Sequence, residues 1–337
     1  MVNNQTIHHF GPDPEYVGGI GSVIRVLTEH QLGGGSVVSH PTWRPNSRFA
    51  SLPLAFRAAL GLPRLQKLDI AHVHLAENGS FLREGGIVIL ARLLGKATVV
   101  TLHGADFLPF AHKYGWLASY VLKRADVITC LDQDVHDLLC QIAPKARVEL
   151  LPNPVMMDKD SPGADETDEL VLFAGEIGLR KGIDVLCRAW TLVAEARPNA
   201  RCIIVGPVNN FVVPELERLD VRPPVDATAI KELLRSARVV ALPSRAEGMP
   251  MVLTEAMGAG RPFVSTPVGG IPDLAEGGVL VTVQDHVGLA KSLIDFLADP
   301  TLAYRVGERG RRFCLETRSV EVIDAQLREL YTAASRQ

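Results

Sequence analysis

Two glutamates separated by seven residues are the first candidates for chemistry in this sequence. Glu247 lies in the loop after an apolar run at residues 239–242, and Glu255 follows Pro250, which marks the expected start of a helix. Free backbone N–H groups at a helix start can hold a diphosphate or sugar hydroxyls. A carboxylate about one turn further along can accept two hydrogen bonds from a ribose diol. Isolated acids on a helix are usually solvated, so this interpretation depends on the loop, the proline and nearby glycines occurring together.

A cationic loop is the second candidate. Arg180 and Lys181 follow an apolar run at residues 170–174 and lie between Gly175 and Gly182. A lysine ammonium is a flexible point charge, which suits an anion that gains charge as a bond breaks. The alternative is that Lys181 is a solvated residue in a turn. The framing glycines favour the anion site.

Glycines in the first half of the chain offer a second backbone site. Gly18, Gly19 and Gly21 follow a strand candidate at residues 7–10 and precede a helix expected at 22–31. Without Cβ atoms the chain can approach a phosphate closely, but any tight strand-to-helix turn uses the same residues. The segment alone does not decide between the two.

His103 stands at a strand end in the first half of the chain. It follows the apolar run at residues 97–102 and precedes Gly104, a position expected to point into the crevice at the edge of a sheet. A lone histidine is otherwise commonly a hydrogen-bonded core residue. We favour a ligand-binding role.

Histidine and aspartate pairs with metal-like spacing do not predict a metal site here. His72 and His74 share one face of a strand, and no third ligand is adjacent in the sequence. Asp132 and Asp134 begin a helix, where aspartate caps free N–H groups. A second Asp-x-Asp triplet starts at Asp158, in an acidic segment. We therefore expect no metal and no cofactor.

Composition and charge exclude several classes of protein. The 337 residues are 47% hydrophobic and 22% charged, with a formal net charge of −3, as in ordinary globular chains. Residues 1–155 carry 14 Lys and Arg against 12 Asp and Glu, and the remainder carries 21 against 26. A basic stripe is missing, so we expect no nucleic acid partner. The five cysteines lack paired spacing, which argues against a disulfide framework and favours a reducing cytoplasm.

Short apolar runs alternate with helix-period segments along the chain. The runs occur at residues 71–75, 97–102, 127–131, 170–174, 202–205, 239–242 and 263–265. This alternation predicts βαβ units with buried parallel strands. An acidic stretch at 158–169 separates the two groups of runs and is interpreted as a linker. The fold class is therefore α/β, with domains at residues 1–155 and 156–320 whose strand ends meet at a shared crevice.

The loop and helix around the paired glutamates resemble the family 4 glycosyltransferases. The similarity rests on the spacing of the two acids, on Pro243 and Ser244 before them and on Pro250 between them, and it extends over most of the chain. It implies the GT-B fold, in which two Rossmann-like domains with parallel sheets face each other across a cleft. It also implies that a C-terminal helix at residues 321–337 crosses back to the N-terminal domain.

The resemblance also implies roles for individual residues. The reaction would be a retaining transfer of a sugar from a UDP- or GDP-linked donor to a glycan or lipid-linked acceptor. Catalytic roles at the transferring sugar and the departing diphosphate would fall to Glu247, His103 and Lys181. The donor would be held by Gly19, Gly21, Arg180, Lys181, Gly248, Met249, Pro250, Met251, Val252 and, at the ribose, Glu255. The base would be held by Pro207, Pro224 and Val225.

Glu176 departs from the family pattern, which usually has a phosphate-binding arginine at this position. An ionised glutamate repels a diphosphate, so its side chain must turn away or pair with a cation, and Arg180 is the nearest in sequence. Our hypothesis is that Arg180 and Lys181 share the phosphate contact while Glu176 orients one of them. The alternative is that Lys181 acts alone.

Other functions are compatible with a similar architecture. A nucleotide-sugar epimerase would use the donor cleft without an acceptor, and Glu176 leaves room for a non-catalytic nucleotide-sugar-binding protein. An NAD-dependent oxidoreductase needs a complete glycine fingerprint, whereas Ile24 replaces the third glycine here. No residue identifies itself as a covalent nucleophile. The family's front-face attack, with the donor phosphate taking the acceptor proton, is the expected mechanism.

We expect any membrane contact to be peripheral. The sequence lacks a signal-like N-terminus and any stretch of 18 apolar residues, so a cytoplasmic location is expected. Trp43, Arg44, Arg48 and Phe49, followed by an apolar and basic segment at 54–67, could rest on an anionic membrane or an acceptor. An ordinary amphipathic helix with a loop explains the same pattern. Bacterial surface polysaccharide assembly is favoured by family frequency only.

Overall fold

The computed structural model describes residues 5–15, 18–44 and 51–336, and the chain divides into two compact units. The first unit combines Met1–Pro154 with Val320–Gln337, and the second comprises Val155–Ser319. Each unit has its own sheet and its own buried core, as separate domains require.

A parallel sheet forms the centre of the first unit. Its strands in the described part of the chain are β1 (Thr6–Pro12), β2 (Ser36–Trp43), β3 (Ile70–Leu75), β4 (Ala97–Leu102), β5 (Val127–Cys130) and β6 (Arg147–Leu150). Their order is β2-β1-β3-β4-β5-β6. The central strands β3, β4 and β5 are buried at nearly every position, which explains their continuous apolar runs.

A second parallel sheet forms the centre of the second unit, all of whose residues are described. Its strands are β7 (Leu170–Ala174), β8 (Arg201–Val205), β9 (Leu219–Arg222), β10 (Val239–Leu242), β11 (Phe263–Ser265) and β12 (Gly278–Leu280). Their order is β12-β11-β10-β7-β8-β9. The strands β7 and β10 are completely buried and lie side by side at the centre.

Helices connect the strands of both sheets. In chain order they are α1 (Gly19–Glu29), α2 (Ser51–Gly61), α3 (Gly79–Leu93), α4 (Phe107–Lys113), α5 (Gly115–Leu122), α6 (Gln133–Ile142), α7 (Ile183–Ala196), α8 (Ala227–Ser236), α9 (Met251–Gly258), α10 (His286–Ala298), α11 (Pro300–Thr317) and α12 (Val320–Ala334). The last helix, α12, belongs to the first unit and packs against β4 and β5.

The predicted strands are confirmed, and four further strands were not predicted. All seven apolar runs form strands, and the candidate at residues 7–10 lies within β1. The strands without a signal are β2, β6, β9 and β12. Each of these is an edge strand of its sheet and contains partly exposed residues, so an uninterrupted apolar run is not required there.

The interpretation of residues 158–169 as a linker is wrong. Asp158 is 5% exposed, and its carboxylate accepts hydrogen bonds from Arg235 at 2.7 and 2.9 Å. The Arg235 guanidinium lowers the pKa of this carboxyl. Ser161 accepts a hydrogen bond from the buried Arg261 at 2.8 Å, and Ala164 is fully buried. The acidic composition predicts a solvated segment. In the structure, arginines from distant positions in the chain pair with the segment, which is therefore packed into the second unit.

Two helices begin at positions that differ from the prediction. The helix expected at residues 22–31 begins at Gly19, so Gly19 and Gly21 belong to its first turn and not to the preceding loop. The helix expected to start at Pro250 begins one residue later, with Pro250 as its N-cap. Both shifts leave the first free N–H groups of each helix at the carboxyl end of a strand.

Candidate functional site

The second sheet has a topological switch point between β7 and β10. From β7 the chain proceeds to β8 and β9 on one side, and from β10 to β11 and β12 on the other. Ligands of open α/β sheets bind outside the carboxyl ends of the strands at such a point. The loops concerned are residues 175–182 after β7 and residues 243–250 after β10.

The two loops are joined by short backbone and side-chain contacts. Gly182 has a φ of 71°, and a Cβ atom there would lie 1.9 Å from the carbonyl oxygen of Pro243, so only glycine fits. The Arg245 N–H donates to the Arg180 carbonyl at 2.8 Å. The Arg245 guanidinium also donates two hydrogen bonds of 2.7 Å to Asp184, whose pKa it lowers. These contacts fix the loops relative to each other.

Lys181 and Glu247 form an ion pair at this junction. The Lys181 ammonium donates to both carboxylate oxygens of Glu247, at 2.6 and 2.8 Å. The Ser244 hydroxyl donates to Glu247 Oε1 at 2.5 Å. The side chains of Glu247 and Lys181 are 5% and 14% exposed, so the pair is largely shielded from water. The structure thus brings together two of the three predicted catalytic residues, 66 positions apart in the sequence.

Arg180 extends the charged cluster towards solvent. Its Nη1 donates to the Ala246 carbonyl at 3.1 Å and lies 3.8 Å from Glu247 Oε2. Its Nε lies 3.9 Å from Glu176 Oε1, and 41% of the side chain is exposed. Glu176 therefore faces the Arg180 guanidinium. Arg180 and Lys181 both lie beside the Glu247 carboxylate.

We expect Arg180→Ala to weaken the affinity for a nucleoside diphosphate about tenfold, as loss of one charge-assisted hydrogen bond would. Calorimetric titration at fixed salt measures this affinity. Arg188→Ala, which removes an exposed arginine of α7, is the matched control and should bind like the parent. If Arg180→Ala binds like the parent while Lys181→Ala is strongly weakened, Lys181 acts alone.

The loop that carries Glu247 leads into the start of α9. Gly269 has a φ of 54°, and a Cβ atom there would lie 1.9 Å from the Glu247 carbonyl oxygen. The Gly270 N–H donates to the Gly248 carbonyl at 2.8 Å, and Met249 is buried. Helix geometry leaves the N–H groups of Met251 and Val252 without intrahelical partners.

Glu255 lies in the second turn of α9 and is half-buried. The predicted base-binding residues follow neighbouring strands: Pro207 comes after β8, and Pro224 and Val225 come after β9. The Ile177 N–H donates to the Pro207 carbonyl at 2.8 Å, which links this edge to the loop after β7. All these residues therefore lie at the carboxyl edge of the second sheet.

The first sheet has its own switch point, between β1 and β3. The connection from β1 leads into α1, whose first turn contains Gly19 and Gly21. A Cβ atom at Gly19 would meet nothing within 4 Å, and Gly21 is buried. The space beside Gly19 is therefore open, and close approach of a phosphate at this turn stays a prediction. The free N–H groups at the start of α1 are a second candidate anion site.

His103 lies just past β4 in the first unit. Its N–H donates to the Leu75 carbonyl at 2.9 Å, and its Nε2 lies 2.8 Å from His74 Nδ1. Burial lowers the pKa of His103 to about 3, so its imidazole is neutral at physiological pH. A neutral ring can donate at one nitrogen and accept at the other.

No third ligand is adjacent to His72 and His74 in the sequence, but the fold brings one beside them. His9, on β1, lies beside them, and one nitrogen of each ring lies within 4.8 Å of the others. Both nitrogens of His72 are already bonded, to the Tyr331 hydroxyl and to the Thr101 hydroxyl, each at 2.7 Å. A metal ion would have to break such bonds in a fully buried place. The prediction that Asp132 caps a helix is confirmed, because it accepts from the Val135 N–H at 2.9 Å.

The segment proposed to rest on a membrane is only partly described. Arg48 and Phe49 lie outside the described residues, while Trp43 ends β2. Two apolar side chains of α2, Phe56 and Leu60, are 67% and 56% exposed. Among the described residues, no helix combines the length and the apolar character needed to cross a membrane.

Comparison with known proteins gives matches for both halves of the chain. Residues 168–299 match the family described as Glycosyl transferases group 1, and residues 17–159 match the one described as Glycosyltransferase Family 4. The chain belongs to the family 4 glycosyltransferases. The resemblance inferred from the paired glutamates is thereby confirmed.

Curated relatives of this family 4 chain have different activities. A D-inositol 3-phosphate glycosyltransferase of Streptomyces coelicolor is 33% identical over 270 residues, 72% of this chain and 58% of the relative. An N-acetyl-alpha-D-glucosaminyl L-malate synthase of Bacillus anthracis is 24% identical over 293 residues, 79% of this chain and 75% of the relative. The chain spans 39% to 58% of the lengths of three Streptomyces glycosyltransferases that it matches.

Solved structures share the fold of this family 4 chain. Sucrose-phosphate synthase from Thermosynechococcus elongatus aligns with a TM-score of 0.76 and 19% identity, covering 97% of this chain and 98% of that one. Anabaena HepE in complex with UDP and glucose aligns with a TM-score of 0.75 and 16% identity, covering 97% and 99%. Together with the two parallel sheets, these alignments confirm the α/β GT-B fold class.

Some residues of the candidate site of this family 4 chain carry no functional signal in the sequence. Arg245 and Asp184 look like unrelated surface charges, yet their ion pair holds the two loops together. In the sequence Ser244 stands out only as part of the motif, although its hydroxyl donates a hydrogen bond to the Glu247 carboxylate. Their spacing does not reveal these contacts, because each depends on the side-by-side packing of β7 and β10.

Proposed function

We propose that this glycosyltransferase moves a hexose from a UDP- or GDP-linked donor to a glycan or lipid-linked acceptor, with retention of configuration. The observation that carries the proposal is the shielded pair of Lys181 and Glu247 at the switch point between β7 and β10. A cation, a carboxylate and a free helix start meet there, which is what a diphosphate and its sugar require. Similarity to Anabaena HepE, solved in complex with UDP and glucose, supports a uridine donor.

In this proposal the diphosphate is held by Lys181, by Arg180 and by the N–H groups of Met251 and Val252. Two of the three ammonium donors of Lys181 go to Glu247, which leaves one for a phosphate oxygen. The backbone from Gly248 to Pro250 lines the sugar, and Glu255 accepts hydrogen bonds from the ribose diol.

The base occupies the strand ends at Pro207, Pro224 and Val225. In the first unit, Gly19, Gly21 and His103 take the donor contacts implied by the family. We place the enzyme in the cytoplasm, peripherally on the membrane where the acceptor is a lipid. Each of these assignments rests on residue position and family similarity.

The proposed chemistry uses no covalent intermediate. The acceptor oxygen bonds to the anomeric carbon on the face from which the diphosphate leaves, the carbon–oxygen bond to phosphate breaks with its electron pair, and the acceptor proton passes to a departing phosphate oxygen. Lys181 and the start of α9 stabilise the charge that develops on the diphosphate. Glu247 positions the sugar, since its carboxylate is occupied by Lys181 and Ser244 and is not free for attack.

Product analysis by mass spectrometry tests the function. The protein is incubated with UDP- and GDP-linked hexoses, with and without mixtures of glycan and lipid-linked acceptors. The proposal expects a product heavier than the acceptor by one hexose, and nucleoside diphosphate release that depends on the acceptor. Conversion of one nucleotide sugar into its epimer with donor alone would identify an epimerase instead.

We expect transfer to be independent of divalent metal. Lysine, arginine and backbone N–H groups at the switch point provide the positive charge that a metal would otherwise supply. Activity is measured after exhaustive treatment with EDTA and again after addition of magnesium or manganese. Unchanged rates are expected, and loss that either metal restores would contradict the proposal.

A further inference from the structure

Three histidines of the first unit form a continuous row of hydrogen bonds. His9 Nδ1 lies 2.8 Å from His74 Nε2, and His74 Nδ1 lies 2.8 Å from His103 Nε2. The ring centroids are 5.1 Å apart in both pairs, with interplanar angles of 26° and 28°. With such short nitrogen distances, the rings meet edge to edge, as hydrogen-bonded imidazoles do.

One end of the row is buried in the core, and the other end is partly exposed. His9 and His74 are buried, and within the described part of the chain His9 Nε2 is buried without a hydrogen-bond partner. His103 is half-buried and lies at the carboxyl end of β4. The row therefore leads from the core of the sheet to the edge where ligands of such sheets bind.

All three rings are neutral. Burial lowers the pKa of His9 and of His103 to about 3, and it holds the pKa of His74 well below its usual range. A neutral imidazole has one N–H and one bare nitrogen. His74 uses both nitrogens in the row, so it donates to one neighbour and accepts from the other.

The two hydrogen bonds of the row require the three histidines to have the same tautomer. Each hydrogen bond joins a δ nitrogen to an ε nitrogen, and each needs one donor and one acceptor. If His74 carries its proton on Nδ1, it donates to His103 Nε2, so His103 must carry its own proton on Nδ1. The bare Nε2 of His74 then accepts from His9, which must also carry its proton on Nδ1. If His74 carries it on Nε2, all three carry it on Nε2.

We propose that His9 and His74 are positioning residues for His103: the three imidazoles hold one common tautomer, which determines whether Nδ1 of His103 donates or accepts a hydrogen bond. The part of this inference that concerns the sugar donor rests on the proposed function, and the coupling itself does not. A shift from one common tautomer to the other changes His103 from donor to acceptor without creating charge. A sugar hydroxyl both donates and accepts, so it can hydrogen-bond His103 Nδ1 in either common tautomer.

The tautomers are read from the full chain labelled with ¹⁵N-histidine. Long-range proton–nitrogen correlations distinguish a protonated from a bare ring nitrogen, and single histidine substitutions assign the signals. We expect His9, His74 and His103 to show the same tautomer at pH 7.5. Different tautomers among the three, or a charged ring, would overturn the proposal.

Substitution of the middle ring tests its effect on the reaction. His74→Gln should change the Nδ1 and Nε2 signals of His103 and lower kcat about tenfold, equivalent to one lost hydrogen bond, with KM little changed. His9→Gln is the second variant, for the case that His74→Gln does not fold. His40→Gln is the matched control, because His40 bonds His8 and lies outside the row. It should leave the His103 signals unchanged.

Two outcomes separate this inference from the proposed function. A common tautomer in a protein that transfers no sugar would leave the coupling standing while the proposed function fails. Independent tautomers in an active transferase would overturn the coupling alone. Stoichiometric zinc in the purified protein, lost in His9→Gln, would also overturn it, because a metal would then occupy the nitrogens of the row.

Discussion

Replacement of Lys181 by alanine is expected to lower kcat by about 10²- to 10³-fold, the loss typical of removing one preorganised group that stabilises transition-state charge. The variant also leaves the shielded carboxylate of Glu247 without its closest cation. At about 4 Å and an effective dielectric near 20, that charge repels a phosphate oxygen by roughly 4 kcal/mol. Steady-state kinetics with the donor and acceptor found by product analysis measure the effect.

A double variant separates the two causes. If Lys181 contacts the diphosphate, Lys181→Ala with Glu247→Ala remains at least as slow as Lys181→Ala. If Lys181 serves only to neutralise Glu247, the second substitution restores donor affinity. Lys291→Ala, which removes a lysine 77% exposed on α10, is the matched control and should keep parental kinetics. Parental kinetics in Lys181→Ala would contradict the assignment.

Mild acid is expected to destabilise the first unit strongly. His9, His72 and His74 are buried, and their folded pKa values lie well below the ordinary value of 6.5. The unfolded chain therefore binds more protons below pH 6.5, so stability is full above that pH and falls as pH decreases. At pH 5.5 each ring that stays neutral in the fold lowers the stability by about 1.4 kcal/mol, so these three rings together account for about 4 kcal/mol. His40 and His103, with pKa values of about 4 and about 3, add to this loss.

Urea unfolding followed by circular dichroism at pH 7.5 and pH 5.5 measures this loss. The second unit contains a single histidine, His286, so a transition belonging to that unit should move much less. His72→Gln should reduce the difference between the two pH values by about 1.4 kcal/mol, the contribution of one ring. His30→Gln, at an exposed position, is the control and should leave the difference intact. Equal stability at both pH values would show that the rings are not held neutral.

The central strands of both sheets could be predicted from the sequence because burial on both faces requires uninterrupted apolar residues. The four strands at the sheet edges could not be predicted in this way. The strand β6, for example, contains Arg147 and Glu149, whose side chains form an ion pair exposed to solvent. Such a strand is held by backbone hydrogen bonds to its neighbour, and these do not require an apolar run in the sequence.

The candidate site was predictable where one local segment carries the signal. Glu247 and Lys181 each stand in a recognisable loop, and the structure adds that they bind each other. The row of histidines was not predictable, since His9 reaches His74 only through the pairing of β1 with β3. The error over residues 158–169 has the same origin, because Asp158 is neutralised by Arg235, 77 positions away.

The most direct test of the central claim is hydrogen exchange of the parent protein, read by mass spectrometry with and without saturating UDP or GDP. A ligand bound at the switch point should slow exchange in peptides that cover residues 175–182 and 243–257, because it satisfies their N–H groups and holds the loops closed to water. Lys181→Ala at the same nucleotide concentration should lose most of this protection.

Protection of these loops by one of the two nucleotides is the result we predict. No change with either nucleotide, or protection confined to other parts of the chain, would contradict a donor site at the carboxyl ends of β7 and β10.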